Sequence, residues 1–558
     1  MHWLSNLVVM LTTRQDWWPF AFWVPCFLLV LAISHATKRD LQLDRARIIF
    51  PAVGLLMVAL FAWFNYVFLF SPVYLGHLSH IQPLIADVSW YFATGKPVYH
   101  APDSAEVYNI LYGPWLFIFA GWFERVLGPS VFAAKLGGEL ALGGAMIILF
   151  ALLRKRAGRG FALTGVGIFA ALVMAMDPVE ILVRTDAYIV FFVLIGCWAA
   201  DSAAKIAPFI MGLMLGLCVN LKIHGGVYFL PLAWMAWQTG WRKKELLLAL
   251  MVALFAAILP FVIFPNISLS NYISTLRVAG GQGINLINLF TNIEWFFLLC
   301  LPLGTVVALA WLRDGPATTQ KLQPFYPVLL LIVVEFLAIL PFASKYGSGT
   351  WHFLPLSVML LFLGADLHAA GIRWVWGGTV AATAVQAACL SWLACCLGTG
   401  LVRCYQDAGW LRGKTAWAQG VEADLHGIIA KYGTSHILLM GVGGDDDYAQ
   451  TFFRSTLVFN GQPIGLEPSA LMESEFAGHP SPDFGQFVKT LGQEHPGQKI
   501  IWLIPKGATP FTLKSFYAKT EGADYGSHDL VFDAQFQNSF RRDFSLLASS
   551  QFYDLYSN

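Results

Sequence analysis

Apolar runs long enough to cross about 30 Å of hydrocarbon recur along this chain at roughly 17–36, 48–71, 131–153, 161–176, 186–203, 206–222, 225–240, 246–265, 293–312, 325–343, 352–367 and 374–399. They predict about twelve membrane-spanning helices. Beyond about Arg403 the pattern shortens: HILLMGV at 436–442 and KIIWLIP at 499–505 are short apolar runs bounded by Gly and Pro, as buried strands are. Residues 416–432 and 483–493 read as amphipathic helices. The expected fold class is an α-helical polytopic membrane domain over 1–402, followed by a soluble α/β domain over 403–558.

Lys and Arg mark cytoplasmic loops. Lys38, Arg39, Arg45 and Arg47 follow the first run, Arg154, Lys155, Arg156 and Arg159 the third, and Arg242, Lys243 and Lys244 the seventh. Arg313 with Lys321, and Arg373, mark two more loops of the same parity. The stretch 112–127 is apolar enough to count as another span, but counting it would place Arg154–Arg159 outside. Its Trp115, Trp122, Glu124 and Arg125 suit a juxtamembrane helix lying in the interface. Parity then puts a first loop at 72–130, the stretches 177–186, 264–292 and 344–352, and the C-terminal domain on the outer, extracytoplasmic (periplasmic) face. The N-terminus lacks a basic n-region and a small-residue cleavage site, so the first run reads as a retained helix.

Composition agrees with this picture. The 558 residues are 57% hydrophobic and 12% charged, with a mean hydropathy of +0.61 and 21 Trp, which excludes an ordinary soluble protein. A net charge of +1 points to no nucleic-acid partner. All eight cysteines lie at or before Cys404, in no pattern that suggests a disulfide framework or a zinc site. Gly280, Gly281 and Gly283 follow no soluble strand, which argues against a nucleotide loop; the stretch reads as a connecting loop, with Asn285 and Asn288 available for polar contacts. GGDDDY at 443–448 reads as a solvated turn, with cation binding the alternative, and GQPIG at 461–465 as turn chemistry alone.

Candidate chemistry gathers on the outer face. The stretch 79–115 carries His80, Asp87, Lys96, His100, Asp103 and Glu106 directly after an apolar run, and ionisable groups at a membrane edge mark candidate sites. Arg184 and Asp186, with Asp177 and Glu180, open a later helix. Either Arg184 pairs with Asp177 or Glu180 to anchor that helix, or it grips a phosphate, which a guanidinium suits well. Lys222 and His224 close one apolar run and Lys345 and His352 border another. Lys222 alone could be snorkelling; four such groups converging from separate helices would form a phosphate pocket.

In chain order the outer face presents GKPVY (95–99) and YGP (112–114), DPVEILVRTD (177–186), GLCVNLKIHGG (216–226) and SKYGSGTWHFLP (344–355). This order resembles the GT-C superfamily of integral-membrane glycosyltransferases over roughly residues 48–400. The resemblance implies a GT-C-like fold in the plasma membrane, the inner membrane of a bacterium. It implies sugar transfer from a polyprenyl-phosphate or polyprenyl-diphosphate donor to a glycan, lipid or protein acceptor. It makes Arg184, Lys222, His224, Lys345 and His352 donor-phosphate contacts, and Gln82, Tyr99, Tyr112, Asp177 and Asp186 acceptor or first-loop contacts. Many members carry an acid about a dozen positions before GxPxY, where His80 and Gln82 stand here. An amide is no base, so either His80 or Asp87 takes the catalytic role or the protein is catalytically weakened. His80 has a usable unperturbed pKa of about 6.5, while Asp87 could orient it or, with Asp186, hold a divalent cation such as Mg or Mn. The rival readings are an inactive GT-C-like assembly or binding subunit, and a transporter or lipid flippase. No visible internal repeat favours the latter.

Overall fold

The computed structural model describes residues 43–71, 81–101, 104–108, 111–176, 181–345, 347–372, 380–477, 483–514 and 530–558. The expected span at 17–36, the start of the span at 374–399, and the candidate residues His80 and Asp177 lie outside the described residues. Six of the described helices are long and apolar enough to cross a membrane, and two shorter apolar helices pack among them. In chain order the elements around the site are α1 (Leu43–Leu69), α2 (Ile81–Thr94), α3 (Pro114–Leu127), α4 (Val131–Met176), α5 (Thr185–Ala200), α6 (Ala207–Leu221), α7 (Leu230–Gln238) and α8 (Lys243–Ile263). They continue with α9 (Leu269–Gly281), α10 (Leu286–Asp314), α11 (Tyr326–Ala343), α12 (Leu354–Ala369) and α13 (Val380–Tyr432).

The 46 residues of α4 are two helices meeting at Gly158, whose φ of +86° breaks the ladder. In an unbroken helix Leu153 and Gly165 would stand about 18 Å apart. Instead Leu153 Cδ1 lies 2.5 Å from where a Cβ on Gly165 would sit, so the chain doubles back. The two arms correspond to the runs expected at 131–153 and 161–176. At the bend, Lys155 Nζ lies 2.9 Å and Arg156 Nη2 2.8 Å from the Asp201 carboxylate, and Arg156 also pairs with Asp366. Three helix ends are thereby tied at one end of the bundle. Asp186 and the first loop lie at the other, about 24 Å away along the 16 residues of α5.

Helix α3 has 14 residues, about 21 Å, and occupies most of the stretch 112–127; α5 and α6, expected as spans, are hardly longer at 16 and 15 residues. The run at 225–240 departs from a plain span, because residues Ile223–Phe229 form a 3-10 turn before the nine-residue α7. Part of the loop expected at 264–292 is helical, as α9. Helices α6 and α8 approach closely where Gly212 and Gly216 face Ala249 and Ala253. A Cβ on either glycine would fall 2.2 or 2.4 Å from an alanine carbonyl oxygen, the small-residue contact that lets membrane helices pack tightly.

Helix α13 runs 53 residues, about 80 Å, and passes position 403 without a break. There Arg403 Nη1 reaches the carbonyls of Ala175 and Met176 at 3.5 and 3.4 Å, satisfying open groups at the end of α4. Beyond it lies a four-stranded sheet of order β1-β2-β4-β3 (His436–Met440, Lys499–Pro505, Tyr553–Ser557, Ser545–Ser549). Strands β1 and β2 are parallel, and β4 is antiparallel to both β2 and β3. The sheet domain also holds α14 (Arg454–Phe459), α15 (Pro468–Phe476), α16 (Phe484–Glu494) and α17 (Ala534–Asp543).

GQPIG does more than turn the chain. Val107 of the first loop pairs with Leu466 as a parallel bridge, with Val107 N donating to Gly465 O and Glu467 N donating to Val107 O, both at 2.9 Å. Replacing Gly216 with Leu would force α8 away from α6. The expected cost is about 1–3 kcal/mol, read as a lowered unfolding temperature of the detergent-solubilised protein, with the exposed Leu247→Ala as a neutral control.

Candidate functional site

The first loop is held over the bundle by its YGP element. Gly113 N donates to Leu221 O at 3.0 Å, and Trp115 N donates to Asn220 Oδ1 at 3.0 Å. Asn220 Nδ2 in turn donates to Ala257 O at 2.8 Å. A Cβ on Gly113 would fall 1.3 Å from Asn220 O, so only glycine permits this approach. Tyr99 of GKPVY is buried, and its hydroxyl donates to Tyr112 O at 2.8 Å. The two first-loop tyrosines are therefore joined.

Below Tyr112 lies a buried ion pair. Lys222, which ends α6, places Nζ 2.8 and 2.9 Å from the two Asp186 oxygens at the start of α5. Lys222 is 5% and Asp186 1% exposed, and Lys222 Nζ also stands 5.6 Å from the Tyr112 ring centroid. Two residues on, the His224 ring stacks on His352 with centroids 5.1 Å apart, and on Phe342 at 4.9 Å. Tyr228 donates its hydroxyl to His352 O at 2.7 Å, fixing the turn that carries His352. His224 Nε2 and His352 Nδ1 are buried without a hydrogen-bond partner.

Arg184 and Lys345 complete the group. The Arg184 guanidinium lies over Trp351 at 4.3 Å, and Trp351 contacts His352 at 6.0 Å. Lys345 Nζ donates to Ala279 O at 2.6 Å, and burial lowers its pKa. Both Lys345 and Lys222 act electrostatically on His224, and Arg184, Lys222 and His224 act on His352. Arg184 thus stands at the start of α5, Lys222 and His224 just after α6, Lys345 just after α11 and His352 in the turn before α12. Three asparagines brace the last loop: Asn285 N donates to Ser344 O, Asn288 Nδ2 to Lys345 O, and Asn292 Nδ2 to Ala343 O, at 2.8, 3.1 and 2.8 Å. Asn285 also caps α10, which makes the expected connecting loop partly a helix start.

Asp87 departs from its expected role. It is fully buried in α2, with Oδ2 3.1 Å from Arg454 Nε of the C-terminal domain. A carboxylate enclosed in this way and held by a guanidinium is not placed to take a proton from an acceptor hydroxyl; it is part of the joint between domains. Burial above all pushes it up to about 6, against the lowering effect of Arg454. Gln82, 1% exposed, lies one to two turns before it on the same helix. Nor do the two carboxylates fit a metal: Asp186 holds Lys222, Asp87 holds Arg454, and among the described residues no group of three or more His, Cys, Asp or Glu is arranged for an ion.

Sequence reasoning missed Arg454, Tyr228 and Trp351. Arg454 lies 367 residues from Asp87, and nothing local marks such a pairing. Trp351 stood beside His352 within a quoted motif; an aromatic next to a candidate cation site was the available signal.

The bundle also holds an apolar groove of about 520 Å³. Trp115, Phe119 and Trp122 of α3 form one wall, Leu217 of α6 and Phe255 and Leu259 of α8 the other. Trp115 binds Asn220, two residues before Lys222. Phe119 stacks on Tyr188 at 5.4 Å, two residues after Asp186. None of Arg184, Asp186, Lys222, His224, Lys345 and His352 is among its lining residues.

Fold and site together define a polytopic helical membrane protein with an α/β C-terminal domain packed against its first loop. No protein-family model and no curated protein sequence matches the chain. Two solved structures of ArnT from Cupriavidus metallidurans are similar to it: one bound to undecaprenyl phosphate, at 12% identity and a TM-score of 0.47, the other in the apo state, at 12% and 0.48. Each likeness covers 90% of this chain and 97% of the other.

Removing one partner of a buried ion pair leaves a bare charge. Lys222→Met is expected to cost about 3–5 kcal/mol, whereas Lys222→Met with Asp186→Leu should recover most of the loss. Chemical unfolding of the three proteins measures the coupling.

Proposed function

We propose that this protein is an integral-membrane glycosyltransferase that takes its sugar from a polyprenyl-phosphate or polyprenyl-diphosphate donor. The observation that supports this reading is the presence, in one helical bundle, of the Arg184, Lys222, His224, Lys345 and His352 group at helix ends and of an apolar groove between α3, α6 and α8. A phosphate joined to a long hydrocarbon chain matches both halves at once. Arg184 and Lys345 grip the phosphate, with Lys222 held in place by Asp186. The prenyl chain lies between α3, α6 and α8.

In the reaction the bond from the anomeric carbon to the phosphate oxygen breaks, a bond from that carbon to an acceptor oxygen forms, and polyprenyl phosphate leaves with the electron pair. The cations stabilise the departing charge. The acceptor proton goes to a first-loop base, His80 in this reading, while the buried His224 and His352, with cations beside them, stay neutral. Tyr99 and Tyr112 wall the acceptor side. The acceptor is a glycan, lipid or protein on the outer face of a plasma membrane, a bacterial inner membrane in this reading, with the C-terminal domain on the same face.

One observation favours a second reading, a binding subunit without activity: the first-loop carboxylate Asp87 is taken up by Arg454. Full-length protein supplied with polyprenyl-phosphate sugars and candidate acceptors separates the two. Transfer is expected, with KM for the donor raised at least tenfold in Arg184→Ala, since a charged hydrogen bond contributes about 1.5–3 kcal/mol. In His80→Ala, kcat should fall about a hundredfold or more. Donor binding without turnover would favour the subunit, and absence of binding would sink both.

A further inference from the structure

A row of acidic groups runs across the joint between the first loop and the C-terminal domain, with one cation in its middle. Asp87 of α2 acts electrostatically on Glu124 of α3 and pairs with Arg454 of α14, Arg454 Nη1 approaches Glu467 Oε1 at 3.7 Å, and Glu467 acts electrostatically on Glu473 of α15. Glu467 has donors of its own: Ala470 N at 2.7 Å and the Ser469 hydroxyl. Ser455 lies beside Asp87 and donates to Pro83 O at 3.3 Å, and Tyr448 stands near Arg454. The outer members are less well served. Among the described residues, neither oxygen of the fully buried Glu124 nor Oε2 of the half-buried Glu473 has a hydrogen-bond partner, and Oδ1 of Asp87 also lacks one.

A buried carboxylate without donors is costly, while a buried neutral acid is far less so. A single guanidinium can balance Asp87 and Glu467; it leaves nothing for Glu124 and Glu473. We propose that this row is a proton-dependent joint between the two domains, closed while its outer carboxyls carry protons and opened when they lose them. The backbone bonds that cross the joint, Val107 N to Gly465 O and Glu467 N to Val107 O, hold only while the row is packed.

Burial, then the Glu467 charge, pushes Glu473 up to about 8, and burial, then Asp87, raises Glu124 well above the usual carboxyl range. Raised pKa values in the closed state mean that closure is fully stabilised below the ordinary carboxyl range and loses stability as pH rises through the closed-state values. For Glu473 alone, moving from pH 7 to pH 9 weakens closure about tenfold. The joint is independent of the reading given for the pocket, since it uses none of its residues.

Hydrogen–deuterium exchange on the full-length protein in nanodiscs, corrected for the intrinsic pH dependence of exchange, tests this. Protection of the amides of Val107, Ile464 and Glu467 is expected to fall about tenfold between pH 7 and 9. Glu473→Gln keeps a neutral group of the same shape and should remove most of that fall while raising protection at pH 7, where the open-state carboxylate already weighs against closure. Arg454→Gln should reduce protection at both values. Wild-type protection equal at pH 7 and 9, or Glu473→Gln and Glu124→Gln both responding to pH as the wild type does, would overturn the proposal.

Discussion

A lysine and an aspartate shut away from solvent at the ends of two membrane helices can persist only as a pair, because either charge alone in such a place is costly. Lys222 and Asp186 meet that constraint, and much of the site follows from it. Because Lys222 must reach Asp186, α6 ends where α5 begins. Because Asn220 stands two residues earlier, the YGP element finds its donors and acceptors at the same level. The turn that follows Lys222 then delivers His224 to His352. The electrostatic requirement of one pair thus becomes the registration of four chain segments.

Much of the architecture was legible in the sequence because a bilayer imposes length. The runs at 131–153 and 161–176 appear as the two arms of α4, and the basic residues between them form the tie at Asp201 and Asp366. KIIWLIP coincides with β2, residue for residue. The domain boundary was less legible. Around Arg403 the composition turns polar while the helix continues, since composition reports the surrounding solvent and backbone hydrogen bonding need not change with it.

The site divides along the same line. Arg184, Lys222, His224, Lys345 and His352 drew notice because charge is conspicuous at the edge of an apolar run. Asp87 was conspicuous for the same reason and misled, because its partner Arg454 lies hundreds of residues away on a helix of six residues. GQPIG misled in the opposite sense. Its glycines at 461 and 465 have φ of +87° and +74°, true turn geometry, yet the residues just after them pair with the first loop. Local chemistry describes how a segment bends and says little about what it rests on.

Helix α13 carries a mechanical implication. Arg403 fastens it to the end of α4 near its middle, with about 35 Å of helix toward Val380 and about 44 Å toward Tyr432. A stiff rod fastened near its centre behaves as a lever with a fulcrum. The Tyr432 arm leads into the sheet domain. The same unbroken helix that packs in the bundle therefore carries the sheet domain that grips the first loop.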